Sequence, residues 1–528
     1  MGAGEASKTD REAPGDDTGK EGSLRLVPAL IGIALFVALL LFPAPEGLSP
    51  EAWRVVAVAA LMIVWWVSEA IPVPATALVP LVLFPLLGAV EMEAAAAPYA
   101  DPIIFLFMGG FMLAAAMEKW NLHRRIALNI VARTGSRQPM IVLGFMLATA
   151  FLSMWVSNTA TTVMMLPIAL SVARLLEGET GSGEDIGRFP LALLLGVAYA
   201  ASIGGVATLI GTPPNALLAG SLSQEYGYDL GFGRWMLIGV PVAILMLAIS
   251  WLLLTRFLVR LDRREIEGAA ELIGRRIADL GGWSRGEAVV GAVFLAAAIL
   301  WIGRSFLEDL IPGLDDAGIA IGAALLLFLI PAGKERRDPG GKGYAVLDWQ
   351  TATNLPWGVL LLFGGGLSLA KAVSSTGLDK WIGEALGSVG SAVPLIGLVL
   401  IVALVILLLT EFTSNTATAA TFLPLVAALS LDLGENPLML SVPAALAASM
   451  AFMLPVATPP NALVFASGKV TIPQMVRFGG FHNLAALIVI STVGYLMLTT
   501  LFGVTAGELP EWANGGGAEA SEGAAGKN

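Results

Sequence analysis

The chain lacks cysteine and has almost no histidine. None of its 528 residues is cysteine, and only His123 and His482 are histidine. Disulfide and thiol chemistry are therefore excluded, and two histidines cannot build a multi-histidine metal site. Charged residues make up 13% of the chain, whereas a soluble protein carries roughly a quarter. The net charge is −11, and nucleic-acid binding, which requires a basic surface, is not expected.

Apolar residues are abundant instead, at 56% of the chain, and the mean hydropathy is +0.79. We therefore predict an all-α polytopic membrane protein that lies in a lipid bilayer. About eleven runs are long enough to form transmembrane helices. They lie near residues 24–43, 51–70, 73–90, 102–118, 190–218, 236–258, 287–303, 317–332, 356–374, 440–467 and 482–503.

Two further apolar runs each contain the tripeptide Ser-Asn-Thr. The copies are Ser157-Asn158-Thr159 within 138–170 and Ser414-Asn415-Thr416 within 393–430. Each run could form two spans, but we favour a re-entrant helical hairpin with the triplet at its tip, where the backbone must turn. Polar triplets are unfavourable in hydrocarbon unless they line a cavity.

Each triplet is followed in the same half of the chain by Thr-Pro-Pro-Asn. The copies are Thr212-Pro213-Pro214-Asn215 and Thr458-Pro459-Pro460-Asn461. The triplets are 257 residues apart and the double prolines 246, and FLFMGGFML at 105–113 resembles LLFGGGLSL at 361–369. The nearly constant offset predicts an internal duplication. If the first span stands outside the repeat, each repeat has five spans, so the two insert with opposite topology.

The same pattern predicts the domain organisation. Its parts are a disordered cytoplasmic tail at 1–23, a first half at 24–258 with a broken helix near 190–218, a cytoplasmic linker at 259–286, a second half at 287–504 with a broken helix near 440–467, and a flexible tail at 505–528. Basic residues cluster in alternate loops, which predicts a cytoplasmic N-terminus and an external C-terminus in the cell (inner) membrane.

The triplets, the paired Thr-Pro-Pro-Asn turns and the segment VWWVSEAIPVPATALVP at 64–80 resemble the divalent anion/sodium symporter family, of the Na⁺/dicarboxylate cotransporter type. The resemblance covers about residues 24–505. It implies a homodimer of inverted repeats, with a scaffold domain and a transport domain that moves as an elevator. It also implies a dicarboxylate, citrate or sulfate as the transported anion.

Carried over by position, the resemblance implies two sodium sites and one substrate site. The first sodium site would comprise Ser153, Ser157, Asn158 and the Gly211 carbonyl. The second would comprise Thr410, Ser414, Asn415 and the Ala457 carbonyl. The substrate would meet Asn158, Thr159, Asn415 and Thr416, closed over by Thr212-Pro213 and Thr458-Pro459. Since no lysine or arginine lies beside the triplets, neutral donors must bind the anion, and Na⁺ would supply the missing positive charge.

We therefore expect a secondary transporter that couples Na⁺ to the uptake of C4 dicarboxylates such as succinate, malate or fumarate, without an organic cofactor. A dicarboxylate exchanger without net Na⁺ drive, or a citrate or sulfate carrier, remains an alternative. An enzyme is not expected, because the chain lacks HExxH, Gly-x-Ser-x-Gly and cysteine. Glu411, whose first-half counterpart is Met154, could couple protons, but we favour a structural hydrogen bond.

Overall fold

The computed structural model describes residues 25–179, 185–308, 310–333, 344–378, 380–381 and 393–514. The predicted tail at 1–23 lies outside these residues, as does the end of the predicted tail at 505–528. The described residues form helices and no β-sheet, so the expected all-α class is confirmed.

The helices up to the linker are α1 Leu26–Leu41, α2 Pro50–Ser68, α3 Val73–Thr76, α4 Val79–Leu87, α5 Met92–Ala96, α6 Pro102–Lys119, α7 Leu122–Ala132, α8 Gln138–Ser153, α9 Asn158–Glu179, α10 Asp185–Gly205, α11 Pro213–Tyr226, α12 Phe232–Leu252 and α13 Ala269–Ala278. The remaining described helices are α14 Arg285–Leu307, α15 Asp316–Leu329, α16 Trp349–Thr353, α17 Trp357–Ser375, α18 Leu395–Leu409, α19 Asn415–Asp432, α20 Leu438–Ala448, α21 Pro459–Ala466, α22 Ile472–Val489 and α23 Tyr495–Leu501. A π-helical turn, Ile490–Gly494, joins α22 to α23.

Seven helical segments in the described part of the chain are long and apolar enough to cross a membrane, and six shorter apolar helices accompany them. Several of these shorter helices belong to the predicted hairpins and broken helices, where a full-length span is not expected. The predicted count of eleven spans stays a prediction.

Each Ser-Asn-Thr triplet lies where one helix ends and the next begins. In the first half, α8 ends at Ser153 and α9 begins at Asn158. In the second half, α18 ends at Leu409 and α19 begins at Asn415. Both turns lie inside apolar sequence, so their free backbone groups need partners within the protein.

Each double proline opens a helix after a stretch of irregular backbone. Proline has no N–H and fits the first helical turn, so α11 begins at Pro213 and α21 at Pro459. The asparagine two residues later folds back on the irregular stretch. Asn215 Nδ2 donates to the Thr208 carbonyl at 2.7 Å, and Asn461 Nδ2 donates to the Leu454 carbonyl at 3.0 Å. The asparagines thus satisfy carbonyls that the broken helices leave free.

The two halves cross over each other around these elements. The second arm of the first hairpin, α9, packs against α21 of the second half, and α19 packs against α11 of the first. Helix α10 packs on both arms of its own hairpin and also on α21. This reciprocal packing brings both hairpin tips and both proline turns to one place in the molecule.

Candidate substrate and cation site

The first hairpin tip is held by a buried serine. Ser153 Oγ lies 2.5 Å from Asn158 Oδ1 and 2.7 Å from the carbonyl oxygen of Ala201 in α10, so its one proton can be donated to either acceptor. Ser157 caps the start of α9, where its Oγ accepts from the Ala160 N–H at 3.2 Å. The carboxamide of Asn158 is therefore fixed against both the hairpin and the broken helix.

The second hairpin tip repeats this arrangement with a threonine. Thr410 Oγ1 lies 2.5 Å from Asn415 Oδ1 and 2.8 Å from the Ala448 carbonyl of α20. Ser153 and Thr410 are both fully buried. Two distant segments of sequence thus produce the same triad of hydroxyl, carboxamide and helix carbonyl.

The first tip meets the irregular backbone of its broken helix at two glycines. A Cβ placed on Gly205 would lie 2.8 Å from Asn158 Oδ1 and 3.1 Å from the Gly211 carbonyl oxygen. Only a residue without a side chain allows this approach. Ser153, Asn158 and the Gly211 carbonyl, three members of the first predicted sodium set, therefore converge on one small region.

Both tips face a single cavity of about 1200 Å³. Most of the predicted site residues lie on its wall: Ser157, Asn158, Thr159, Gly211, Thr212, Pro213, Ser414, Asn415, Thr416, Ala457, Thr458 and Pro459. Ser153 and Thr410 do not line it; they lie behind the asparagines that do. The structure thus brings the residues of both predicted sodium sets and of the predicted substrate site together.

Four helix N-termini lie at the wall of the cavity. Helices α9, α11, α19 and α21 all begin at this cavity. A helix N-terminus carries roughly half a positive charge and unsatisfied N–H groups, so it favours an anion. Among the described lining residues, the charged ones are Arg25 and Glu69.

Several residues of the cavity wall were not predicted from the sequence. Three aromatic side chains, Phe107, Phe111 and Phe412, line it, and the charged pair Arg25 and Glu69 lines it as well. Phe107 and Phe111 lie within the duplicated segment 105–113, which could have signalled their proximity to the site. No local pattern in the sequence connects Arg25 with residues that lie hundreds of positions away.

Glu411 lies in the second hairpin but not on the cavity wall. Its buried carboxylate accepts hydrogen bonds from the backbone N–H groups of Phe452, Met453 and Leu454 at 2.8–3.0 Å, and from Asn483 Nδ2 at 2.7 Å. These bonds use most of the acceptor capacity of the carboxylate. The geometry is that of a structural anchor for the second broken helix.

Within the described residues, no group of three or more histidine, cysteine, aspartate or glutamate side chains could hold a metal ion. The oxygen atoms at the tips belong to hydroxyl, carboxamide and carbonyl groups. Such neutral, hard oxygen ligands fit a weakly bound hard cation better than a transition metal.

The helical fold resembles that of known multi-spanning membrane proteins. Two solved transporters share the fold. YdaH of Alcanivorax borkumensis has a TM-score of 0.57 and 15% sequence identity, and the match covers 90% of this chain and 98% of YdaH. MtrF of Neisseria gonorrhoeae has a TM-score of 0.55 and 13% sequence identity, and the match covers 89% of this chain and 96% of MtrF. At this identity the likeness concerns the fold alone.

The sequence profile described as the sodium:sulfate symporter transmembrane region matches residues 23–504, and the chain belongs to this family. The sodium-dependent dicarboxylate transporter SdcS of Staphylococcus aureus strain USA300 is 44% identical over 91% of this chain and 92% of its own length. SdcS of strain NCTC 8325 is 43% identical over the same shares. The family resemblance drawn from the motifs is confirmed, and the chain is a transporter rather than an enzyme.

Proposed function

We propose that this protein is a secondary active transporter that couples Na⁺ to the symport of C4 dicarboxylates such as succinate, malate and fumarate. The observation that carries the proposal is the pair of matched tips, each with a buried hydroxyl behind a triplet asparagine, facing one cavity. The 44% identity to a sodium-dependent dicarboxylate transporter supports it.

Na⁺ would bind at the two tips. The first site would use Ser153, Ser157, Asn158 and the Gly211 carbonyl, and the second Thr410, Ser414, Asn415 and the Ala457 carbonyl. In the structure the buried hydroxyls already orient both asparagines, so little rearrangement is needed to present their oxygen atoms. The two cations would add the positive charge that the neutral side chains lack.

The dicarboxylate would lie between the tips. One carboxylate would accept from Asn158 and Thr159, and the other from Asn415 and Thr416, with the proline turns at 212–213 and 458–459 closing over them. Without Na⁺, a dianion faces only dipoles and neutral donors. Binding of substrate and cation is therefore coupled by electrostatics, and the site empties when Na⁺ leaves.

The cavity opens toward Arg25, Glu69 and the start of α17, on the face that the basic residues predict to be cytoplasmic. We assign this conformation to the inward-open state. The two hairpins and broken helices would form a transport domain that slides against a scaffold within a homodimer, as in the family that the motifs resemble.

Uptake of radiolabelled succinate into proteoliposomes tests the proposal. The vesicles carry an inward Na⁺ gradient or none, and are either empty or preloaded with unlabelled succinate. We expect uptake into empty vesicles that requires Na⁺. Uptake that requires internal succinate and ignores Na⁺ would identify an exchanger instead, and competition by citrate or sulfate would define the anion range.

A further inference from the structure

The cavity has one charged region, at its mouth. Arg25 immediately precedes α1, and Glu69 follows α2; among the described lining residues, these two alone carry charge. The other described residues of the wall are uncharged, and they include Phe107, Phe111 and Phe412. A dianion that moves between solution and the triplets therefore meets Arg25, the one cation among the described lining residues, on its path.

The backbone holds Arg25 at this mouth. The Arg25 N–H donates to the Ala70 carbonyl at 3.0 Å, and Arg25 Nη1 donates to the Ser68 carbonyl at 3.0 Å. Glu69 between them adopts a left-handed conformation, with φ of 48°. The start of α1 is thus fastened to the end of α2, so the guanidinium cannot move far from the mouth.

The guanidinium is nonetheless available to a ligand. Arg25 Nη2 lies 3.9 Å from Glu69 Oε2, and the two side chains are 58% and 55% exposed. An ion pair this long and this exposed is weak, because water screens it. A dicarboxylate carries two negative charges against the single charge of Glu69, so it competes well for the same guanidinium.

We infer that Arg25 is the transient docking point of the dicarboxylate at the cavity mouth, and that Glu69 sets its strength by competing for the guanidinium. The inference rests on the proposed function, since it requires an anionic substrate. Apolar walls of low dielectric strengthen the field of a guanidinium whose pairing with Glu69 is weak, and so raise the local concentration of a counter-ion. Arg25 would therefore lower the KM for succinate that binds from the predicted cytoplasmic face and leave the maximal rate unchanged.

The absence of cysteine allows a clean test, because an introduced cysteine is the only thiol in the chain. We would measure the succinate KM of Arg25→Cys in inside-out membrane vesicles, whose outer surface is the face that we predict to be cytoplasmic, before and after addition of methanethiosulfonate reagents that do not cross the bilayer. One reagent carries a trimethylammonium group and the other a sulfonate. The matched control is Arg264→Cys, whose exposed arginine pairs with Asp262 at 2.9 Å, away from the cavity.

We expect Arg25→Cys to raise the succinate KM about threefold to tenfold, at the low end of electrostatic steering effects. The cationic reagent restores the KM, the anionic reagent raises it further, and Arg264→Cys responds to neither. Glu69→Gln shifts the KM in the opposite direction, downward. All these differences shrink when choline chloride is raised from about 0.05 M to about 0.5 M, because the Debye length falls below 10 Å.

An unchanged KM in Arg25→Cys, or equal shifts with both reagents, would overturn the inference and leave the proposed function intact. Absence of Na⁺-driven succinate uptake by the unmodified protein would instead overturn the proposed function, and the docking role with it.

Discussion

The two halves of the site are alike at the hairpin tips and different in the broken helices behind them. At each tip a buried hydroxyl binds the triplet asparagine and a helix carbonyl, with distances that agree within 0.1 Å: 2.5 and 2.7 Å for Ser153, and 2.5 and 2.8 Å for Thr410. The irregular backbone that follows covers residues 206–212 in the first half and the longer stretch 449–458 in the second.

A longer break leaves more backbone N–H groups without a helical partner, and hydrocarbon offers them none. In the second half, Glu411 accepts from three consecutive N–H groups of the break. In the first half Met154 occupies the matching position, and only its carbonyl takes part, accepting from Thr208 Oγ1. The carboxylate of Glu411, which the first half lacks, thus compensates for the longer break of the second half, while the atoms that the two halves share surround the proposed ligands.

The largest effect is expected from the asparagines that the two tips share. Asn158→Ala and Asn415→Ala each remove donors from a desolvated site, at about 1–3 kcal/mol per lost group, so uptake should fall by about a hundredfold or more. Succinate uptake normalised to protein in the vesicles is the measurement, with Asn129→Ala on α7 as the control. Normal transport by either variant would refute the site assignment, and normal transport by only one would show that the halves are not equivalent.

The second-largest expected effect is a loss of stability that differs between the two halves. Glu411→Gln replaces an acceptor oxygen with a donor that faces backbone N–H groups, so we expect a loss of about 3 kcal/mol in stability, the scale of hydrogen bonds to a charged group. Met154→Leu at the matching position should leave stability nearly unchanged. The apparent melting temperature in detergent checks both variants. If Glu411→Gln unfolds at the same temperature but loses uptake per folded molecule, Glu411 would be a coupling carboxylate.

A smaller and symmetric effect is expected from the buried hydroxyls. Ser153→Ala and Thr410→Ala should each raise the Na⁺ concentration for half-maximal uptake about fivefold to tenfold, which corresponds to one hydrogen bond of about 1–1.5 kcal/mol. Substrate selectivity should change less than the Na⁺ dependence. Ser153→Thr and Thr410→Ser keep the hydroxyl and serve as controls. A Na⁺ response that does not change in Thr410→Ala would count against the second cation site.

The smallest expected effect is the loss of stability when the hydrogen bond between Thr208 and the Met154 carbonyl in the first half is removed. Thr208→Val removes the hydroxyl that donates to the Met154 carbonyl, so stability should fall by about 1 kcal/mol, well below the effect at Glu411. Thr149→Val is the matched control, because the buried Thr149 hydroxyl has no hydrogen-bond partner in the described structure. Thermal unfolding of both proteins decides the point. An equal loss in the two variants would mean that the Thr208 bond contributes nothing specific.

Much of the fold could be predicted because apolar runs and helix breakers act locally. Proline fits the first turn of a helix, as it does at 213 and 459, and long apolar runs must be helical in a bilayer. The matched motifs also predicted the residues of the site, and the structure places most of them on the wall of one cavity. The role of the Ala201 and Ala448 carbonyls at the tips could not be predicted from the sequence, because every residue type has a backbone carbonyl.

Composition and the two pairs of motifs were enough to predict the class of the protein and its family, because both are visible without knowledge of the packing. The surroundings of the motifs came from the three-dimensional structure: the packing of one half against the other, the aromatic wall, the anchoring of Glu411 to 452–454, and the position of Arg25 at the mouth. Those features depend on contacts between segments far apart in the chain, and the periodicity of a single segment reports which face is apolar but not what it meets.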